Sequence, residues 1–156
     1  MKGNFFMNFE KRSLILSPDS KCLSLIVEKT KAYGQEIGFS DDLCEMISGS
    51  LVESSEELIR ICEEKSIDKS FEICFDFQDN TAIVEIIYDA KIPLDPNETE
   101  EYKLPNQDID DINIDVLWLH FIKKRMDRVF FEKKGSSKVL KMMKYNREQD
   151  KTRQFW

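Results

Sequence analysis

Residues 41–64, DDLCEMISGSLVESSEELIRICEE, constrain the fold more than any other stretch. Apolar or small residues recur in steps of three and four at Leu43, Ile47, Ser50, Leu51, Ser54, Leu58, Ile61 and Cys62. That spacing predicts a long amphipathic helix with Ser40 as its N-cap, and the rest of the chain reads as its scaffold. Glu53 and Glu57 sit beside the stripe, four residues apart and therefore stacked on one face. Two like charges at that spacing oppose the helix by roughly a few tenths of a kcal/mol unless something uses them. A solvated acidic face, helped by a Glu56–Arg60 pair, is the plainest account of them.

The remaining elements follow from period and punctuation. Residues 12–16 read as a strand, stopped by Ser17-Pro18-Asp19-Ser20, which also opens a helix. That helix, over 21–37, carries Leu23, Ile26, Val27, Thr30, Tyr33 and Ile37 at helical spacing and closes at Gly38. Residues 70–77 and 81–88 are β-rich runs separated by Gln78-Asp79-Asn80, a hairpin signal. In the first run Phe71, Ile73, Phe75 and Phe77 alternate with Glu72, Cys74 and Asp76. Residues 90–114 have no clean period, several prolines and many acids, and a loop of that length is usually functional or disordered. A helix returns over 115–127, and 128–132 with 139–145 form a second hairpin about 133–137. The order β, α, α, β, β, loop, α, β, β predicts an α+β fold. Its form is a two-layer sandwich, a mixed or antiparallel sheet of hairpins covered on one face by about three helices. One domain is expected over 12–147, between an N-terminal arm (1–11) and a C-terminal tail (148–156).

A net charge of −7 argues against a general nucleic-acid binder. The charge is uneven, basic from Lys123 onward and acidic over 98–115, which favours a charged partner or self-association. Cys22, Cys44, Cys62 and Cys74 form no CxxC pair and His120 is the only histidine, so a zinc site would need scattered ligands. Core packing is the expected role of three of these cysteines. No signal-peptide core or membrane-length apolar run is visible, so a reduced cytoplasmic location is expected, with neither membrane nor nucleic acid as partner.

An acidic helix before a hairpin, and an irregular stretch before a third helix, resemble the GHKL (histidine kinase-like, Bergerat-type) ATPase fold. That fold is shared by histidine kinases, gyrase and Hsp90, and the chain is most similar to its compact form in bacterial anti-sigma-factor serine kinases. The resemblance covers about residues 12–147. Its strongest segment is Lys124-Arg125-Met126-Asp127-Arg128-Val129 at the end of the third helix, followed by a hairpin ending Val139-Leu140-Lys141-Met142-Met143-Lys144-Tyr145.

The resemblance implies three functional places. In the family's E-x-x-x-N helix motif the Glu is the general base and the Asn holds Mg²⁺; Glu53 and Glu57 stand there, so Glu53 would be catalytic and Glu57 the metal ligand. An aspartate in D-x-G-x-G reads adenine; Asp89 matches it, with Lys91 and Pro93 replacing both glycines. A G-x-G lid opens the third helix, where this chain has Asp115, Val116, Leu117 and Trp118. Close backbone approach to phosphate needs glycine, and Asp108, Asp110, Asp111 and Asp115 would repel an anion, Lys91 offsetting only part of this. At an effective dielectric near 20 a like-charge pair at 4 Å costs roughly 4 kcal/mol before screening. Micromolar affinity is worth only about 8 kcal/mol. No cofactor is therefore expected, ATP and Mg²⁺ serving only if the site works, and Trp118 would fill the vacated pocket.

Two functions follow from the resemblance. The first is an anti-sigma-factor-like regulatory binding module of a partner-switching system, with ATP binding and kinase activity lost. It would grip a sigma factor or a STAS-type anti-anti-sigma protein, form a homodimer, and use the acidic 98–115 stretch to dock a basic partner segment. The alternative is an active ATP- and Mg²⁺-dependent serine kinase acting on the anti-anti-sigma antagonist. His120, Trp118 and Phe121 read as packed residues, and the basic C-terminal hairpin as a solvated sheet edge whose lysines discourage pairing.

Overall fold

A single serine starts the longest helix. Ser40 Oγ accepts the N–H of Leu43 at 3.2 Å, with Asp41 and Asp42 in the first turn and Lys65 in the last. Each charge sits where the helix dipole favours it. The computed structural model describes residues 12–78, 80–96, 101–104 and 112–147; the expected N-terminal arm, C-terminal tail and most of the acidic 98–115 stretch lie outside them. The elements are β1 (Arg12–Leu16), α1 (Leu23–Glu36), α2 (Asp41–Lys65), β2 (Phe71–Gln78), β3 (Thr81–Asp89), α3 (Leu117–Arg125), β4 (Arg128–Lys134) and β5 (Ser137–Tyr145). Short 3₁₀ turns at Ser20–Cys22 and Ile114–Val116 precede α1 and α3.

The strands form one sheet in the order β1-β2-β3-β5-β4, every pair antiparallel. The fold is therefore α+β, with the expected element order and an antiparallel rather than mixed sheet. Two local hairpins, β2–β3 and β4–β5, are joined by a ladder running from Thr81↔Tyr145 to Asp89↔Ser137. The second hairpin is tighter than the sequence suggested: Lys134 pairs with Ser137 around Gly135-Ser136. Gly135 has φ +66°, the positive φ that the first position of a type II′ turn requires.

Alternation along the strands decides which face is covered. Phe71, Ile73, Phe75 and Phe77 of β2, and Ala82, Val84, Ile86 and Tyr88 of β3, are buried beneath the helices. Leu140 and Met142 of β5 and Val129 and Phe131 of β4 continue those rows. Tyr33 of α1 meets Phe75 edge-on at 5.0 Å, and Phe39, before α2, meets Phe77 at 5.7 Å. The other face carries Glu72, Asp76, Glu85 and Lys141, while Cys74 and Val139 are buried there among their neighbours.

α2 is the middle helix, packed against α1, α3 and the sheet. Its sheet side mixes Leu43, Ile47, Leu51 and Leu58 with Ser50 and Ser54, both fully buried. The small Ser54 leaves room for Met142 of β5, whose Sδ is 4.0 Å from Ser54 Oγ. Both serine hydroxyls are satisfied within the helix, Ser50 donating to Met46 O at 2.9 Å and Ser54 to Ser50 O at 2.7 Å. The α1 side is as tight: a Cβ on Gly34 would stand 2.5 Å from Cys44 Sγ. Gly34→Ala is therefore expected to destabilise the protein by about 1–3 kcal/mol, with Cys44→Ala in the same chain recovering part of the loss. Urea unfolding of the three proteins measures this; full stability in Gly34→Ala alone would mean the two helices separate without strain.

Candidate functional site

Glu53 projects from α2 toward the end of α3, and Glu57 lies one turn further along α2. Glu53 Oε1 accepts from Arg125 Nη1 at 3.3 Å, and the Arg125 stem lies over Gly49, one turn earlier on α2. Glu57 is gripped from its own helix: Arg60 Nε donates to Glu57 Oε1 at 3.2 Å, and the same guanidinium reaches Glu64. The expected Glu56–Arg60 pair gives way to this fork, because Arg60 satisfies two acids at the i−3 and i+4 positions at once. The like-charged pair is thus resolved by one arginine apiece. Both carboxylates are half-buried, with side-chain exposures of 30% for Glu53 and 17% for Glu57.

Asp89 is elsewhere. Strand alternation puts Tyr88 beneath the helices and Asp89 on the opposite side of the sheet with Glu85 and Ile87. Asp89 lines a groove of about 350 Å³ at the strand ends, whose walls include Ile15, Glu72 and Ile87 as well as Phe71 and Tyr88 from the covered face. Its Oδ1 accepts the N–H of Lys91 at 2.8 Å, closing the turn that ends β3, and the Lys91 side chain is exposed. The structure therefore brings Glu53 and Glu57 together on α2 and leaves Asp89 and Lys91 apart from them.

Several residues under the helices were not singled out from the sequence. Tyr88 is 1% exposed and its hydroxyl has no hydrogen-bond partner among the described residues. Burial, with the charge of Asp95 behind it, pushes this phenol's pKa up. Ile92 and Leu94, inside the stretch read as a loop, are core residues at 0% and 3% exposure. The signal for Tyr88 was the alternation Ala82, Val84, Ile86, Tyr88; that for Ile92 and Leu94 was their i, i+2 spacing around Pro93.

The positions matched to the glycine lid form a 3₁₀ turn leading into α3. Asn113 Oδ1 caps this turn by accepting the N–H of Asp115 at 2.9 Å. Trp118 is buried with Leu119 and Ile122 in the main core. His120 is 5% exposed and neither ring nitrogen has a partner among the described residues, while its ring meets Phe121 edge-on at 6.1 Å. The segment that carried the family resemblance has a structural role. Met126 is in the core, and Asp127 accepts from the N–H of Tyr145 at 2.7 Å and from Arg147 at 2.6 Å, tying the end of α3 to β5. Among the described residues no cluster of His, Cys, Asp and Glu could hold a metal ion, and no helix is long and apolar enough to cross a membrane.

Two stability measurements follow. A double-mutant cycle of Glu53→Gln and Arg125→Met should give a coupling of about 1 kcal/mol or less, shrinking with added salt, because both groups remain partly exposed. A larger, salt-insensitive coupling would mark this pair as the anchor between α2 and α3. Tyr88→Phe removes a buried hydroxyl with no partner among the described residues and should leave stability unchanged or raise it by up to about 1 kcal/mol. A clear fall in the thermal midpoint would show that the hydroxyl is bonded in solution.

Neither a family model nor a curated protein sequence matches this chain.

Proposed function

We propose that this protein is a regulatory binding module resembling the anti-sigma-factor serine kinases, one that keeps their α+β scaffold without their nucleotide chemistry. The observation that carries the reading is the separation of the would-be site residues by the sheet. Glu53 and Glu57 lie in the helical layer, whereas strand alternation turns Asp89, at the end of β3, to the face opposite Tyr88. A base, a metal ligand and an adenine contact must converge on one ligand, and the facing of Asp89 speaks against that convergence.

Two further features favour the same conclusion. The acids on α2 already have cationic partners in Arg125 and Arg60, so a Mg²⁺ ion would have to compete with a guanidinium for Glu57. Trp118 is a core residue where the family would present glycine amides to phosphate. These features make the residues present a poor fit for Mg²⁺–ATP. What remains is a protein-binding role, with a sigma factor or a STAS-type antagonist as the partner class that the resemblance suggests.

Calorimetric titration with ATP and ADP, with and without Mg²⁺, tests the reading. Silence up to millimolar nucleotide is the expected result. Micromolar binding that is lost in Asp89→Asn and in Glu53→Ala would replace it with the active-kinase alternative, because only a site that includes both residues would behave so.

A further inference from the structure

β4 is an edge strand, and only its first half is covered among the described residues. Glu101 bridges Phe130, Tyr102 N–H donates to Val129 O at 2.8 Å, and Arg128 clasps Glu101 through two bonds of 2.9 and 3.1 Å. The second half of β4 borders a cleft of about 550 Å³ whose lining includes Asp95, Phe131, Glu132, Lys133 and Lys138. That volume is in the usual range for ligand-binding clefts.

The charges in the cleft do not cancel within the protein. Glu101 is held by Arg128, and Glu132 is 3.5 Å from Lys141 on the neighbouring strand. Asp95 has a partner of its own. Lys133 and Lys138, by contrast, stand directly opposite each other across β4 and β5, and no carboxylate among the described residues pairs with either. Like charges in directly opposed positions of a sheet repel, and a counter-charge beside them relieves that repulsion.

We propose that this cleft receives an acidic, extended segment of a partner protein, laid along the outer half of β4 as an added strand. In such a strand the residue opposite Lys133 shares its face at about 5 Å, so an acid there meets Lys133 with Lys138 next in the same row. Main-chain pairing to an edge supplies affinity for any extended peptide, and the side chains beside it choose the sequence. Lysines on an edge disfavour neutral or basic strands, a second copy of β4 included, and admit acidic ones. The cleft involves neither Glu53 nor Glu57, so binding here is independent of whether any nucleotide binds.

The test uses the ¹⁵N-labelled full chain, titrated with a peptide of alternating Glu and Val and with its Gln-for-Glu counterpart. With the acidic peptide, the expected result is amide shifts centred on Glu132, Lys133 and Lys134 of β4 and little response to the Gln peptide. Affinity should fall about ten-fold or more in Lys133→Glu/Lys138→Glu and with added salt. Lys133→Gln/Lys138→Gln, a milder change, should show an intermediate loss if the double reversal perturbs the hairpin. Shifts centred elsewhere, undiminished binding in both variants, or no shifts up to millimolar acidic peptide (the result if the chain's own acids fill the cleft) would each overturn the proposal.

Discussion

The close seating of α2 between two helices and a sheet sets the terms for the rest of the molecule. A helix enclosed on three sides cannot use large residues everywhere, because neighbouring backbones must approach it. The chain meets that demand with Gly34 facing Cys44, Gly49 beneath Arg125, and Ser54 against β5. Serine suits the sheet side because its hydroxyl folds back onto the helix carbonyl four residues earlier and needs nothing from the core. Large residues then fill the intervening positions, and the aromatic row of β2 lies beneath α1 and the turn leading into α2.

Much of this architecture is legible in the sequence, since period, caps and turn residues are local. The α2 stripe, the Ser40 cap, the alternation in β2 and the positive φ of Gly38 are each set by a few neighbouring residues. The candidate site was harder to read, because motif spacing does not say on which side of a sheet a residue falls. Asp89 sits one position beyond the buried Tyr88, and a shift of one residue in a strand moves a side chain to the opposite face. Ile92 and Leu94 are hard to read from sequence for a related reason. An irregular segment can be core without showing any period, and only its contacts reveal it.

The same distinction separates the scaffold from the chemistry it could host. The helical layer packs onto the sheet through residues such as Trp118, Leu119 and Ile122. Glu53 and Glu57 on α2 are each paired with an arginine close at hand. A resemblance in element order therefore speaks to the scaffold first. What binds depends on which side chains the scaffold brings to a common point.

The ladder between β3 and β5 carries a consequence for how such a chain can diverge. It sews a hairpin from the first part of the chain to a hairpin from the last, and everything from Ala90 to Ser136 is looped out between its ends. Closing a loop already that long becomes only slightly harder when it grows, by about 0.6 kcal/mol for each doubling. Insertions or deletions in this part of the chain that spare α3, β4 and the buried Ile92 and Leu94 therefore leave the sheet register almost untouched. Length can therefore change there at little cost to the seam between the two hairpins, whose pairing does not pass through that part of the chain.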